Sequence, residues 1–209
     1  MKTLAILGAG HLGQQIAHFA ISDQQYSHVV FFDDFSKEKK IKDWDIIGTS
    51  SDIVGSYKNN LFQELILGIG YNYLDTKQRL FDQFYGVIPF GRIIHSSCII
   101  DPTAKINEGT VLYPGVIVDA NVKIESNVLV NLGCCIAHDS TIGHSSFLSP
   151  RVAIAGFVKI GQRCILGINS TFKDNIELGN EIQIGAGTVV VKSLKEKDIY
   201  IGVPARKIR

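Results

Sequence analysis

Counting by six from Ile100 lands on Ile106, Leu112, Val118, Ile124, Val130, Ile136, Ile142, Leu148, Ile154, Ile160, Leu166, Phe172, Leu178, Ile184 and Val190, sixteen large apolar residues with no break in register. About half the residues of a globular chain are apolar, so chance gives such a run odds of roughly one in 2 to the sixteenth. Four places further on stand Ala104, Thr110, Val116, Val122, Val128, Cys134, Ser140, Ser146, Val152, Val158, Cys164, Ser170, Ile176, Ile182 and Thr188, nearly all small or β-branched. Neither a 3.6-residue helical period nor a simple strand alternation produces this pattern. Six residues make a short strand and a turn, and three such steps close a triangular coil of about eighteen residues. The pattern predicts a hexapeptide-repeat parallel β-helix of about five coils, in which each coil buries its aliphatic residues only against its neighbours.

Two further features follow the register. Gly143, Gly161, Gly167, Gly179 and Gly185 each come directly after the apolar position, and the expectation for them is tight turns that favour glycine. Cys134 and Cys164 fall in the small slot, and Cys98 holds the same phase one step before Ile100. These three read as small buried hydrophobes; Cys135 lies outside the slot. No C-x-x-C is present, so neither a zinc site nor a disulfide framework is suggested.

The N-terminal part reads differently. Thr3 to Leu7 is a buried strand, and Gly8-Ala9-Gly10-His11-Leu12-Gly13 fits G-x-G-x-x-G at the start of a helix from His11 to Ser22. A second strand, His28 to Phe32, ends at Asp33-Asp34. An apolar stretch from Leu61 to Leu67 leads into Gly68-Ile69-Gly70, and a helix is expected over Thr76 to Phe84. A whole dinucleotide fold needs two mononucleotide-binding halves. The β-helix register leaves room for one, which argues against NAD and a dehydrogenase. A single nucleotide moiety fits, with phosphate at the glycine-rich helix start and a strand-end carboxylate accepting from ribose or base. The expected domains are residues 1–92, a half-Rossmann-like α/β domain, and 93–209, the β-helix with its tail.

Bulk composition restricts the functional classes. The formal charge is +1, from 21 basic and 20 acidic residues among 209, so no electrostatic footprint for nucleic acid is present. No apolar run approaches the roughly 18 residues of a membrane span. The expected setting is the cytoplasm, with no membrane partner.

The segments "ILGAG", "FFDD", "GIGYN", "NLGCCIAHDSTIG", "AGFVKIG", "LGINS" and "YIGVPARKI" run through most of the chain. In this combination the sequence resembles the bacterial sugar acyltransferases, typified by UDP-4-amino-sugar N-acetyltransferases, with sialate O-acetyltransferases as relatives. The resemblance implies a left-handed β-helix behind a nucleotide-binding domain, and a homotrimer that binds acetyl-CoA between neighbouring helices. It implies His138 as general base, Asp139 raising its basicity, Asn131 near the reacting centre, and Gly156 as a backbone donor to the thioester oxygen. Gly10, His11, Leu12, Asp33, Asp34 and Gly70 match nucleotide-sugar contacts, and Ile168 and Ala186 match the coenzyme groove. Two positions depart from the family: Leu12 and Phe147 stand where it commonly carries histidine, the latter a coenzyme contact.

The chemistry agrees with these assignments. An amine attacking a thioester must lose a proton, and a neutral imidazole titrates in the right range to take it. An adjacent carboxylate fixes the tautomer and favours the cation that forms. His144, one repeat later in the same phase, belongs on the next side of the coil and reads as structural or solvated. A zinc site from His95, His138 and His144 would need convergence that this phase denies within one subunit. The tail supplies Lys192, Lys195, Lys197, Arg206, Lys207 and Arg209, of which Arg206 and Lys207 are the candidates for the coenzyme's phosphates. The reading is an acetyl-CoA-dependent N-acetyltransferase acting on a nucleotide-linked 4-amino-4,6-dideoxy sugar for surface glycan. The alternatives are an O-acetyltransferase acting on sialic acid or a related sugar, and a non-catalytic trimeric assembly module.

Overall fold

The computed structural model describes residues 2–208. The chain divides into two compact units, with the boundary between Ile93 and Ile94. In the first, β1 (Thr3–Leu7), α1 (His11–Ser22), β2 (His28–Phe32), β3 (Lys40–Ile41), β4 (Trp44–Gly48), α2 (Ile53–Lys58), β5 (Glu64–Leu67) and α3 (Leu74–Phe84) follow in order. The sheet order is β3-β4-β2-β1-β5, parallel except for the β3–β4 hairpin. Interior β1, between β2 and β5, is buried from Leu4 to Leu7, as expected for a parallel strand covered on both faces. Sequence reading missed β3, β4 and α2. These strands have half-exposed, mixed-polarity residues and so carry no continuous apolar run.

The turn after β1 depends on contact between glycines. Gly8 has φ +108°, and Cβ atoms at Gly13 and Gly68 would lie 2.0 Å from the Gly8 carbonyl oxygen and 2.8 Å from the Gly13 Cα, respectively. The glycine-rich motif therefore lets the β1–α1 turn, the helix and the end of β5 approach closely. Gly10 caps α1 with no side-chain hydrogen bond, and the first turn of the helix carries no acidic residue. No side chain of the helix's own cap or first turn therefore compensates its positive end.

The second unit is a left-handed parallel β-helix with three faces of two-residue strands. Ile99–Ile100, Ile117–Val118, Cys135–Ile136, Ala153–Ile154, Thr171–Phe172 and Val189–Val190 form the first face. Lys105–Ile106, Lys123–Ile124, Thr141–Ile142, Lys159–Ile160 and Glu177–Leu178 form the second. The third includes Val111–Leu112, Leu129–Val130, Phe147–Leu148, Ile165–Leu166 and Gln183–Ile184. The six-step apolar residues from Leu112 to Val190 are buried in one continuous core, while Ile100 and Ile106, in the first coil, are partly buried against it. In the small slot, hydroxyls and thiols donate to carbonyls of the next coil: Ser140 Oγ to Ala155 at 3.0 Å, Ser146 Oγ to Gly161 at 2.9 Å, Cys134 Sγ to Ser149 at 3.1 Å. Burial pushes the Cys134 and Cys164 thiols up to about 11, so these are packing groups rather than nucleophiles.

The expectation for the glycines needs correction. Gly143, Gly161 and Gly167 do not have positive φ; a Cβ on each would meet backbone atoms of the next coil at 2.5–2.6 Å. Their role is close stacking of coils. The left-handed turn residue comes two places later and is usually not glycine: Asn121, Asp139, Phe157 and Asn175 all have φ of 57–58°.

Candidate active site

His138 lies on the corner between the first and second faces, two residues past the inward Ile136, and its side chain is 48% exposed. Its Nδ1–H donates to Asp139 Oδ2 at 2.9 Å, and Asn121 Nδ2 donates to Asp139 Oδ1 at 3.1 Å. The hydrogen bond from His138, with that from Asn121, holds the Asp139 carboxyl below the usual carboxylate range. An ionised Asp139 fixes the proton on Nδ1 and leaves the Nε2 lone pair available. Gly156, one coil on, lies under that edge of the ring: a Cβ there would be 2.7 Å from Cε1 and 2.8 Å from Nε2. The Gly156 carbonyl accepts from Asn175 at 3.1 Å, and its amide has no acceptor among the described residues. This arrangement can take a proton at Nε2 and offer a backbone N–H beside it.

The remaining coenzyme and reaction candidates lie elsewhere on the helix. Asn131, Ile168 and Ala186 occupy the corner between the third and first faces, and Asn131 Oδ1 accepts the Leu132 amide at 2.8 Å. A single chain therefore separates them from His138. Phe147 is buried on the third face, whereas Ile168 is exposed. Lys207 is held by Asp198 at 2.7 Å and Glu196 at 3.1 Å, which raise its pKa. Arg206 is exposed and has no ion-pair partner among the described residues, and Arg209 lies outside them. His144 belongs to the next corner, where its amide donates to Glu125. Among the described residues no three His, Cys, Asp or Glu side chains converge to hold a metal ion.

The first unit contains a cavity of about 660 Å³, lined by Asp33, Asp34, Gly70 and residues absent from the sequence reading, among them Phe35, Tyr73, Thr76 and Arg79. Gly10, His11 and Leu12 begin α1 and are not part of that lining. Partial burial alone would raise the Asp33 pKa, yet amide hydrogen bonds from Ala9 (2.8 Å), Phe35 (2.9 Å) and Ser36 (2.8 Å) hold it below the usual range. Asp33 thus organises the loops, and Asp34, which accepts from the Ser50 amide at 2.7 Å, is the exposed carboxylate. Phe35 is 94% exposed and lines this cavity; its position directly after "FFDD" is the sequence signal that could have found it.

Residues 94–200, just over half the chain, match the family model described as the GMPPB C-terminal domain. The chain belongs to the GMPPB C-terminal domain family. In front of that family domain, residues 3–84 match the model described as the PglD N-terminal domain. The GDP-perosamine N-acetyltransferase of Escherichia coli O157:H7 is 25% identical over 196 residues, covering 90% of this chain and 85% of that protein. The acetyltransferase domain of PglB from Neisseria gonorrhoeae, solved with acetyl coenzyme A, has a TM-score of 0.92 at 22% identity and 99% coverage of both chains. PerB from Caulobacter crescentus, solved with CoA and GDP-perosamine, has a TM-score of 0.88 at 24% identity, covering 100% of this chain and 98% of that one. The two structural likenesses bear on the fold. The family domains and the curated relative bear out the resemblance to bacterial sugar acyltransferases in its N-acetyltransferase branch, and the protein is an acyltransferase. No helix among the described residues is long and apolar enough to cross a membrane.

Proposed function

We propose that this protein transfers the acetyl group of acetyl-CoA to the amino group of a nucleotide-linked 4-amino-4,6-dideoxy sugar. The observation that carries the reading is the His138–Asp139 pair, with Nδ1 committed to the carboxylate at 2.9 Å and Nε2 over a glycine. Acetyl-CoA supplies the thioester. As the amine attacks the thioester carbonyl, His138 Nε2 takes the amine proton, and Asp139 stabilises the resulting imidazolium. The Gly156 N–H donates to the thioester oxygen as negative charge develops there, and His138 returns its proton to the departing thiolate.

The nucleotide belongs in the first unit. Its phosphates suit the glycine-rich start of α1 at Gly10, His11 and Leu12, and the cavity offers Asp34, Phe35, Tyr73 and Arg79 for the base and ribose. A homotrimer completes the reading. The outward residues of the first face are Ile99, Ile117, Cys135, Ala153, Thr171 and Val189, against Lys105, Lys123, Thr141, Lys159 and Glu177 on the second. That contrast supports the first face as the one covered by a neighbour. A groove shared by two helices would join the His138 corner of one to the Asn131, Ile168 and Ala186 corner of another. The reaction belongs in the cytoplasm.

A free-thiol assay with acetyl-CoA and UDP-, dTDP- and GDP-linked 4-amino sugars tests this on wild type and His138→Ala. Thiol release with one nucleotide sugar, lost in the variant, is the expected result. Silence across the panel, with release on sialic acid, would replace the acceptor.

A further inference from the structure

In the column of turn residues on the His138 corner, Asn121, Asp139, Phe157 and Asn175 stack one coil apart, all with φ of 57–58°. Asparagine and aspartate adopt this left-handed conformation readily, whereas for a bulky residue it is a genuine outlier. Among the described residues, every other non-glycine in this conformation in the β-helix is Asn, Asp, Ser, Arg or Glu. Burial does not compensate Phe157, which is 51% exposed. Strain of this kind persists where the surroundings over-determine it, and it clusters at functional sites.

The ring of Phe157 meets His138, to which its backbone is also joined by the inter-coil bond that Asp139 and Asn175 make in their own coils. Its ring stands perpendicular to the His138 imidazole, with centroids 5.1 Å apart and an interplanar angle of 89°. Its amide donates to the His138 carbonyl oxygen at 3.1 Å. An edge-to-face pair at this separation is attractive and directional. We propose that Phe157 is a positioning residue for the general base, fixing the orientation of the His138 ring so that Nε2 stays over Gly156. Asp139 fixes the proton on Nδ1, and Phe157 restricts rotation about the bond that this hydrogen bond alone leaves free to rock. The proposal rests on His138 being the base.

Asparagine is the natural occupant of this column, so Phe157→Asn relieves backbone strain while deleting the ring. The expected result is a Tm at or above wild type with kcat down about three- to tenfold and both KM values within about twofold. Phe157→Tyr keeps the ring and retains kcat. Nitrogen-15 relaxation of the His138 imidazole gives a readout that needs no activity: a single rigid ring orientation in wild type, exchange-broadened ring signals in Phe157→Asn with the Nδ1–H tautomer kept by Asp139. Wild-type kcat in Phe157→Asn, equal losses in the Asn and Tyr variants, or an unchanged His138 spectrum would each overturn the proposal. If His138→Ala stays active while the spectrum changes as expected, positioning stands and the base assignment falls.

Discussion

In the β-helix a residue's surroundings follow from its phase in the six-residue step; in the α/β unit they follow from the loop it occupies. Ile136, Ile142 and Leu148 are buried because of where they fall in the count, and Ser140 and Cys134 donate to carbonyls for the same reason. Phe35, Tyr73 and Arg79 reach one cavity from segments with no common period. A repeat therefore supplies its own reference state, against which a residue that breaks the local rule becomes visible. His138, Asp139 and Phe157 stand out on a scaffold whose other corners show what each position needs for folding alone. The α/β unit offers no such internal control.

The largest expected effect tests the β-helix side. His138→Ala should lower kcat by about 10²–10⁴, the usual contribution of a general base, with Tm unchanged because the side chain is half exposed. Steady-state kinetics beside a thermal melt check this. A small loss would make the corner a surface feature and remove the contrast between the two units.

Arg79→Ala tests the other side. The guanidinium is exposed on α3 at the cavity, and loss of one charge-assisted contact should raise KM for the nucleotide sugar about tenfold or more, leaving kcat near wild type. Titration of the nucleotide alone checks the same site without catalysis. No change in either measurement would move the nucleotide out of this cavity.

How much is legible in the sequence follows from the same contrast. The aliphatic column, the buried Cys134 and Cys164 and the ends of β1, α1 and β2 can be read directly, since period and apolar runs are local properties; Cys98, expected to be buried, is only partly so. The β3–β4 hairpin and α2 cannot, because tertiary pairing rather than pattern decides them. Within the site, His138 and Asp139 are legible as a polar pair on an outward phase. Asn121 and Phe157 are not, because they act across coils, one coil before and one coil after in the same column. The position of Asp33 at the end of β2 is clear from the sequence, but its three amide partners are not, so its part in organising the loops beside the cavity is visible only in the structure. The glycines after the apolar position read as turn formers for a similar reason, since φ and inter-coil distance leave no separate mark in the sequence.

Those glycines give the next prediction. A Cβ at Gly161 would lie 2.6 Å from backbone atoms of Gly179, and overpacking of this kind costs about 1–3 kcal/mol. Gly55, in α2, has nothing within 4 Å of an added Cβ, and Gly→Ala in an unstrained helix gains about 0.5–1 kcal/mol. Denaturant melts of Gly161→Ala and Gly55→Ala should therefore move in opposite directions. Two losses of equal size would mean that glycine is required in the helix for a reason other than space.

The smallest effect separates the end of the β-helix from its middle. Each coil is stabilised by its neighbours, so a terminal coil lacks one set of contacts. Ile142 is 0% exposed, whereas Ile106 in the first coil is only partly buried. Ile→Val deletes one methyl group, at a typical cost of about 0.5–1.5 kcal/mol where the site is well packed. Ile142→Val should fall in that range, and Ile106→Val should cost less, because a half-open site leaves less of a cavity behind. The comparison is clean because the two residues hold the same phase on the same face and differ only in coil number. Equal losses would mean that the first coil is as tightly held as the middle ones, and that something beyond nearest-neighbour stacking supports it.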